Sequence, residues 1–70
     1  MKSKELPPIA KNIKKYREKL GISQDKLSKL ADIAYNVIIK VESGATPNPT
    51  IETMAKIAKG LNVSIDDLMK

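Results

Sequence analysis

Apolar residues recur every three or four positions along most of the chain, the spacing that places them on one side of an α-helix. The first run contains Ile9, Ile13, Tyr16, Arg17 and Leu20. Pro7 and Pro8 favour a helical first turn before this run, and Gly21 is a typical C-cap after it. No segment keeps the strict alternation of apolar and polar residues that is typical of a strand. The pattern therefore predicts a first helix that ends before Gly21.

Four further helices follow from the same spacing and from turn signals. Ser23 is the predicted N-cap of a second helix with inward positions Leu27, Leu30 and Ala31. The segment 32–34 is a tight turn, and a third helix spans about 35–43 and ends at Gly44. Pro49 or Thr50 opens a fourth helix with Ile51, Met54, Ile57, Ala58 and Leu61, and Ser64 caps a short fifth one. We therefore predict an all-α domain of five helices over residues 8–70, after a flexible basic arm at 1–7.

The third helix holds three consecutive β-branched residues, Val37, Ile38 and Ile39. Successive helical residues point about 100° apart, so at most two of them can face inward. With Ile38 inward, Val41 and Glu42 lie on the buried side. Val37 lies at the boundary and Ile39 largely outside. The opposite side carries Asn36, Lys40 and Ser43.

Composition excludes several kinds of chemistry. The 70-residue chain has neither cysteine nor histidine, which excludes disulfides, thiol catalysis and the commonest metal ligand. The acidic residues form no obvious catalytic pair, so we expect no enzyme, no metal and no cofactor. No apolar run approaches the length of a membrane span, and we expect a cytoplasmic protein.

The net charge of +5 is unevenly distributed. Residues 1–29 hold nine Lys or Arg against three acids, whereas residues 30–70 hold four against five. A basic half fits a polyanion partner, although ordinary solubility explains it as well. Lys2 and Lys4 in the arm either follow phosphates or belong to a disordered tail.

The segments "ISQDKLSKLADIAYNVIIKVESG" and "NPTIETMAKIAKGLNVSIDDLM" resemble the lambda-repressor-like, Cro/repressor type of helix-turn-helix domain. The resemblance covers about residues 9–69. It implies that the second helix crosses a DNA backbone and that the third, the recognition helix, lies in the major groove. The implied function is a sequence-specific transcriptional regulator, most typically a repressor that binds a pseudo-palindromic operator.

The resemblance assigns base contacts to the third helix. Asn36 would bind adenine, Lys40 guanine and Ile39 a thymine methyl group. The alternatives are a solvated polar face and an isolated surface isoleucine. Tyr35 would touch a base edge, stack on the backbone, or pack against a neighbouring helix.

Phosphate contacts are implied for residues beside this helix. They are Ser23, Gln24, Ser43, Thr46 and Asn48. Two features depart from the family. Ala34 replaces the usual Ser or Thr N-cap of the recognition helix, and the loop "ATPNPT" lacks basic residues. We therefore expect few phosphate contacts and a shallow dependence of DNA affinity on salt.

Arg17 and Glu42 both fall on otherwise apolar faces, and relatives pair these two positions in a buried salt bridge. We also expect a homodimer through Ile65, Leu68 and Met69, because these residues exceed what one small core absorbs. A monomer in which Ile65 and Leu68 close the core is the alternative. The alternative function is a protein-interaction module, such as an antitoxin or a bridging coactivator, in which Val37, Ile39 and Met69 contact a partner protein.

Overall fold

Five helices make up most of residues 7–70, the part of the chain that the computed structural model describes. They are α1 (Pro8–Leu20), α2 (Gln24–Ala31), α3 (Tyr35–Ser43), α4 (Ile51–Leu61) and α5 (Ile65–Met69). No strand occurs within these residues. The predicted all-α class and the number of helices are confirmed. The predicted arm, residues 1–7, lies outside the described residues apart from Pro7.

The helix ends follow from short-range chemistry. Ser23, Thr50 and Ser64 each accept a hydrogen bond from a main-chain N–H of the helix that follows, which satisfies one of its unpaired donors. Gly21 ends α1 at φ 69°, a left-handed conformation that glycine adopts without steric cost. The N–H of the next residue, Ile22, donates a hydrogen bond to the main-chain oxygen of Arg17 at 3.2 Å. This closes the last turn of α1 and directs the chain into α2.

The core receives one completely buried side chain from each helix. These are Ile13, Leu27, Ile38, Ile57 and Leu68, all 0% exposed. Burying a side chain of this size contributes roughly 1.5–3 kcal/mol. The five therefore lock every helix into a single cluster, including α5 with its five residues.

The helices α2 and α4 pack closely, and α1 packs on both α3 and α5. At the first of these interfaces Gly60 lies against Ala31, so that a Cβ added to Gly60 would come within 3.0 Å of the Ala31 nitrogen. The α2–turn–α3 unit is thus supported from behind by α4 and α1. One face of α3 remains for other contacts.

Several apolar positions differ from the prediction. Leu20, Leu30 and Ile51 were expected inside, and they are 52%, 47% and 68% exposed. Leu20 ends α1 and Ile51 begins α4, where the neighbouring helices give no cover. Leu30 lies at the edge of the buried face of α2. In the opposite sense, Leu68 was expected at a dimer contact, and this was wrong because its side chain is completely buried within the protomer.

None of the helices in the described part of the chain combines the length and the apolar character needed to cross a membrane.

Candidate nucleic-acid interface

A three-residue turn joins α2 to α3. Asp32 adopts a left-handed conformation with φ 58°, and the N–H of Ile33 donates to the main-chain oxygen of Ser28 at 3.1 Å. The Ile33 side chain packs against the core. The turn is therefore anchored at its centre, which fixes the direction in which α3 leaves it.

The outer edge of α3 is polar and exposed. Tyr35, Asn36, Lys40 and Ser43 all lie at the surface, and the last three lie opposite the buried residues of the same helix. No ion pair among residues 7–70 involves Lys40. The edge therefore presents an amide, a phenol and an uncompensated cation side by side, which are groups that donate hydrogen bonds to base edges.

Val37 and Ile39 flank this edge, and both are half-buried. Val37 packs against the core, as expected for a boundary residue. Ile39 was expected largely outside, and this was wrong because part of its surface is covered. The remaining surface of Ile39 still borders Asn36 and Ser43 along the helix, since residues three or four apart are neighbours.

The amino end of α3 has no side-chain cap. Ala34 provides none, and the first turn contains no acidic residue. Uncapped N–H groups and the helix dipole give this end a partial positive charge that favours an anion. Because Ala34 gives no side-chain cap, main-chain N–H donors at this end remain available to an anion.

At the amino end of α2, the side chains of Ser23 and Gln24 make different hydrogen bonds. The Ser23 oxygen accepts a hydrogen bond from the Lys26 N–H at 3.0 Å, so its own hydroxyl proton remains free to donate. Gln24 is half-buried, and its Nε2 donates to Glu42 Oε1 at 3.1 Å. The family resemblance implied a phosphate contact for Gln24, whereas the structure shows one of its two amide hydrogens directed at α3.

The residues at and just after the carboxyl end of α3 differ in how many hydrogen-bond donors they leave free. The Ser43 hydroxyl donates to the main-chain oxygen of Lys40 at 3.1 Å, which commits its only proton. The Thr46 N–H donates to the same oxygen at 3.0 Å. Asn48 is exposed and Thr46 half-buried. Of this group, Asn48 has the most accessible side-chain donors for a phosphate.

A bidentate ion pair supports α3 from behind. Arg17 Nε lies 2.7 Å from Glu42 Oε2, and Arg17 Nη2 lies 3.1 Å from Glu42 Oε1. The Arg17 and Glu42 side chains are only 14% and 5% exposed. The hydrogen bond to Glu42 raises the pKa of Arg17 above its ordinary value. This pair joins α1 to α3 and keeps Glu42 from being a buried, uncompensated charge.

Sequence reasoning missed three polar contacts. Asn12 Nδ2 donates to the main-chain oxygen of Leu68, Ser28 is buried and donates to the main-chain oxygen of Asp25, and Gln24 binds Glu42. The only available signal was position, since Asn12 and Ser28 each adjoin a buried apolar residue in helical register. No group of acidic residues within 7–70 is arranged to hold a metal ion.

Comparisons with known proteins complete the description of this surface. A family model described as "Helix-turn-helix" matches residues 13–68, which includes α2, the turn and α3. Over 61 residues the chain is 31% identical to the HTH-type transcriptional regulator SinR of Bacillus subtilis (strain 168), and the alignment covers 87% of this chain and 55% of that protein. SinR of Bacillus licheniformis matches with the same identity and coverage. The chain thus spans about half the length of these curated relatives. No solved structure gives a significant match.

Proposed function

Because this chain belongs to the helix-turn-helix family in its lambda-repressor-like form, we propose that it is a sequence-specific regulator of transcription that binds double-stranded DNA through α3. In this proposal it acts as a repressor rather than as an enzyme. It binds a pseudo-palindromic operator as a homodimer, so that two copies of α3 enter successive major grooves about one helical turn apart.

The exposed outer edge of α3 carries the proposal. Its polar residues point away from the protomer, while Ile38, Val41 and Glu42 hold the opposite side in the core. A rod of nine residues, about 13 Å long at 1.5 Å per residue, fits within the major groove. The buried Arg17–Glu42 pair supports it on the side that faces away from DNA.

Each side chain on the edge has a matching base edge. The Asn36 amide pairs with the acceptor and donor of adenine, and the Lys40 ammonium donates to the two acceptors of guanine. The uncovered part of Ile39 contacts a thymine methyl group. Tyr35, which is 45% exposed, begins the helix and reaches either a base edge or the adjoining sugar.

Contacts to the DNA backbone orient α3 without reading sequence. The proposed phosphate ligands are Ser23, Thr46 and Asn48, together with free N–H groups at the starts of α2 and α3. Ser43 and Gln24 are left out because the first donates its only proton to Lys40 and the second donates to Glu42. None of these groups is a cation, so few counterions are released on binding. The logarithm of the affinity should therefore fall only gently with the logarithm of the salt concentration.

For the homodimer we propose a contact formed by Ile65 and Met69. Met69 is 50% exposed, and Ile65 is half-buried at the edge of the core. Leu68 takes no part because it lies inside the protomer. A twofold contact on α5 would set the separation of the two recognition helices.

One observation favours a second function, a protein-interaction module. Within residues 7–70, five large apolar side chains are exposed: Leu20, Leu30, Tyr35, Ile51 and Met69. In that function Val37, Ile39 and Met69 would contact an additional partner protein, and α3 would not read bases.

Selection from random duplexes tests the proposal. The chain is used to enrich bound sequences, and affinities for the enriched and a shuffled duplex are then measured at about 100 mM salt, where non-specific binding is reduced. Replacing Asn36 and Lys40 by alanine should remove the preference, since each good base contact is worth about 1–3 kcal/mol.

The matched control replaces Lys11 and Lys15 by alanine. Both are exposed on α1, outside the proposed interface. This control should keep the preference. Failure to enrich any sequence, or equal binding to all duplexes, would exclude sequence-specific regulation and favour the interaction module.

A further inference from the structure

The Glu42 carboxylate joins three helices. It accepts two hydrogen bonds from Arg17 of α1, at 2.7 and 3.1 Å, and a third from Gln24 of α2, at 3.1 Å. Glu42 itself belongs to α3. The Arg17 Nη1 group extends the same network to the main-chain oxygen of Ile22, just before α2, at 2.9 Å.

Neither charge balance nor hydrogen-bond satisfaction requires Gln24. Arg17 and Glu42 neutralise each other, and Glu42 Oε1 already accepts a bond from Arg17 Nη2. Without the Gln24 amide, each carboxylate oxygen would keep one charged donor. The Gln24 bond therefore adds a direct tie between α2 and α3 to a pair that is complete without it.

The local cap of α2 does not require this side chain either. Ser23 caps the helix by accepting the Lys26 N–H at 3.0 Å. Gln24 is the first residue of α2, and its half-buried side chain reaches across to α3. Its second amide hydrogen remains available for another acceptor.

Few other polar contacts fix the orientation of α3 in the fold. No side chain caps its amino end at Ala34, and the nearest backbone tie there joins the Val37 N–H to Ala34 itself. Apolar contacts of Ile38 and Val41 hold the helix in the core, and such contacts are not directional. Hydrogen bonds at Glu42 are directional, so they restrict the rotation of α3 about its axis more narrowly.

We infer that Gln24 is a specificity-determining positioning residue, which acts on DNA through Glu42. By holding the Glu42 carboxylate from the α2 side, it sets the rotation of α3 so that Asn36 and Lys40 meet base edges. This inference rests on the proposed function. It differs from a phosphate contact, which weakens binding to all sequences alike.

The test uses Gln24→Met, which keeps the length of the side chain and removes its donor. Affinity for the selected duplex should fall about tenfold, the size expected for one lost hydrogen bond that aligns a reading helix. Affinity for a shuffled duplex should change by less than about twofold. An equal loss on both duplexes would show a phosphate contact alone, and no loss on either would show no role; each result overturns the inference.

Two further variants separate an effect on sequence preference from an equal effect on the affinity for all duplexes. Lys26→Met removes a charge from an exposed neighbour in the first turn of α2, outside the proposed base contacts, and it should change both affinities by the same factor. Gln24→Lys restores a donor to Glu42 and should retain the sequence preference, although its added charge strengthens binding to both duplexes. Loss of preference in Gln24→Lys together with a normal fold contradicts the inference.

A measurement without DNA keeps this inference separate from the proposed function. Amide NMR spectra of the free protein should show shifts along residues 35–43 in Gln24→Met, with smaller shifts in Lys26→Met. If the native chain shows no sequence preference, the proposed function fails, while these spectra still test whether Gln24 sets α3. Unchanged α3 signals in Gln24→Met would overturn the positioning role.

Discussion

Asn12 fastens the last helix to the first, since its Nδ2 donates a hydrogen bond of 2.8 Å to the main-chain oxygen of Leu68. The two residues lie 56 positions apart in the chain. The acceptor lies near the carboxyl end of α5, where main-chain oxygens lack partners within the helix. One side chain thus closes the end of a helix that is too short to be stable alone.

Replacing Asn12 with alanine should therefore loosen α5 selectively. The global free energy of unfolding should fall by about 1 kcal/mol, the net value of a typical hydrogen bond. Amide hydrogen exchange in residues 65–69 should accelerate more than in α2. The exposed Lys11→Ala in the same helix is the control, with neither effect. Uniform acceleration across all helices would contradict a local fastening.

The Arg17–Glu42 pair should be strongly coupled in a double-mutant cycle. Arg17→Met or Glu42→Leu alone leaves a buried charge without its partner and should cost about 3–5 kcal/mol. The double replacement should cost far less than the two single losses together, because both charges disappear. Urea unfolding of the four proteins measures the coupling. Additive losses would mean that the pair contributes nothing as a pair.

Gly60→Ala should destabilise the fold despite the helix propensity of alanine. The new Cβ would lie 3.0 Å from the Ala31 nitrogen and 3.2 Å from its Cα and Cβ, and these three atoms move only with α2. Overpacking of this kind costs about 1–3 kcal/mol, against a propensity gain of about 1 kcal/mol. We expect a net loss of about 1 kcal/mol in thermal or urea unfolding.

The exposed Ala55→Gly in the same helix measures the propensity term by itself. It should lower stability by about 1 kcal/mol. If Gly60→Ala instead gains that amount, α2 and α4 do not approach as closely as described.

Asp67 should make stability depend on acid pH. Hydrogen bonds from the main-chain N–H and hydroxyl of Ser64 lower the pKa of Asp67 in the folded state. A lowered pKa stabilises the fold above the unfolded value of about 3.9, and this contribution is lost as the pH falls through the folded value. The stability difference between the native chain and Asp67→Ala should therefore shrink below about pH 4. A difference that stays constant from pH 7 to pH 3 would contradict this linkage.

The sequence predicted the helices well because their signals are local. Ser23, Ser64 and Gly44 mark helix ends by their own chemistry, and these ends lie where they were expected. The spacing around Ile38 correctly identified the buried side of α3.

The width of each buried stripe was harder to predict. Periodicity gives the direction of a side chain but not how far a neighbouring helix covers it. Leu30 and Ile51 therefore proved exposed, whereas Ile39 is partly covered. The predicted dimer contact at Leu68 was wrong for a related reason, because a count of apolar residues does not show whether the core has room for one more side chain.

The polar ties across the core lay beyond local reasoning. Asn12 with Leu68 and Gln24 with Glu42 join residues far apart in sequence, and each depends on the relative placement of two helices. The close approach of Gly60 to Ala31 is similar, since a glycine within a helix has several possible causes. Such contacts appear only once the helices are packed.

An NMR titration with the selected duplex tests the central claim, that the outer edge of α3 reads DNA, most directly. We predict that amide signals of residues 35–43 and of the first turn of α2 shift on binding, and that the side-chain amide of Asn36 shifts with them. Signals on the exposed face of α1 around Lys11 and Lys15 should stay in place. If the shifts instead cluster on α1 or α5 while α3 is unaffected, α3 is not the DNA-reading element.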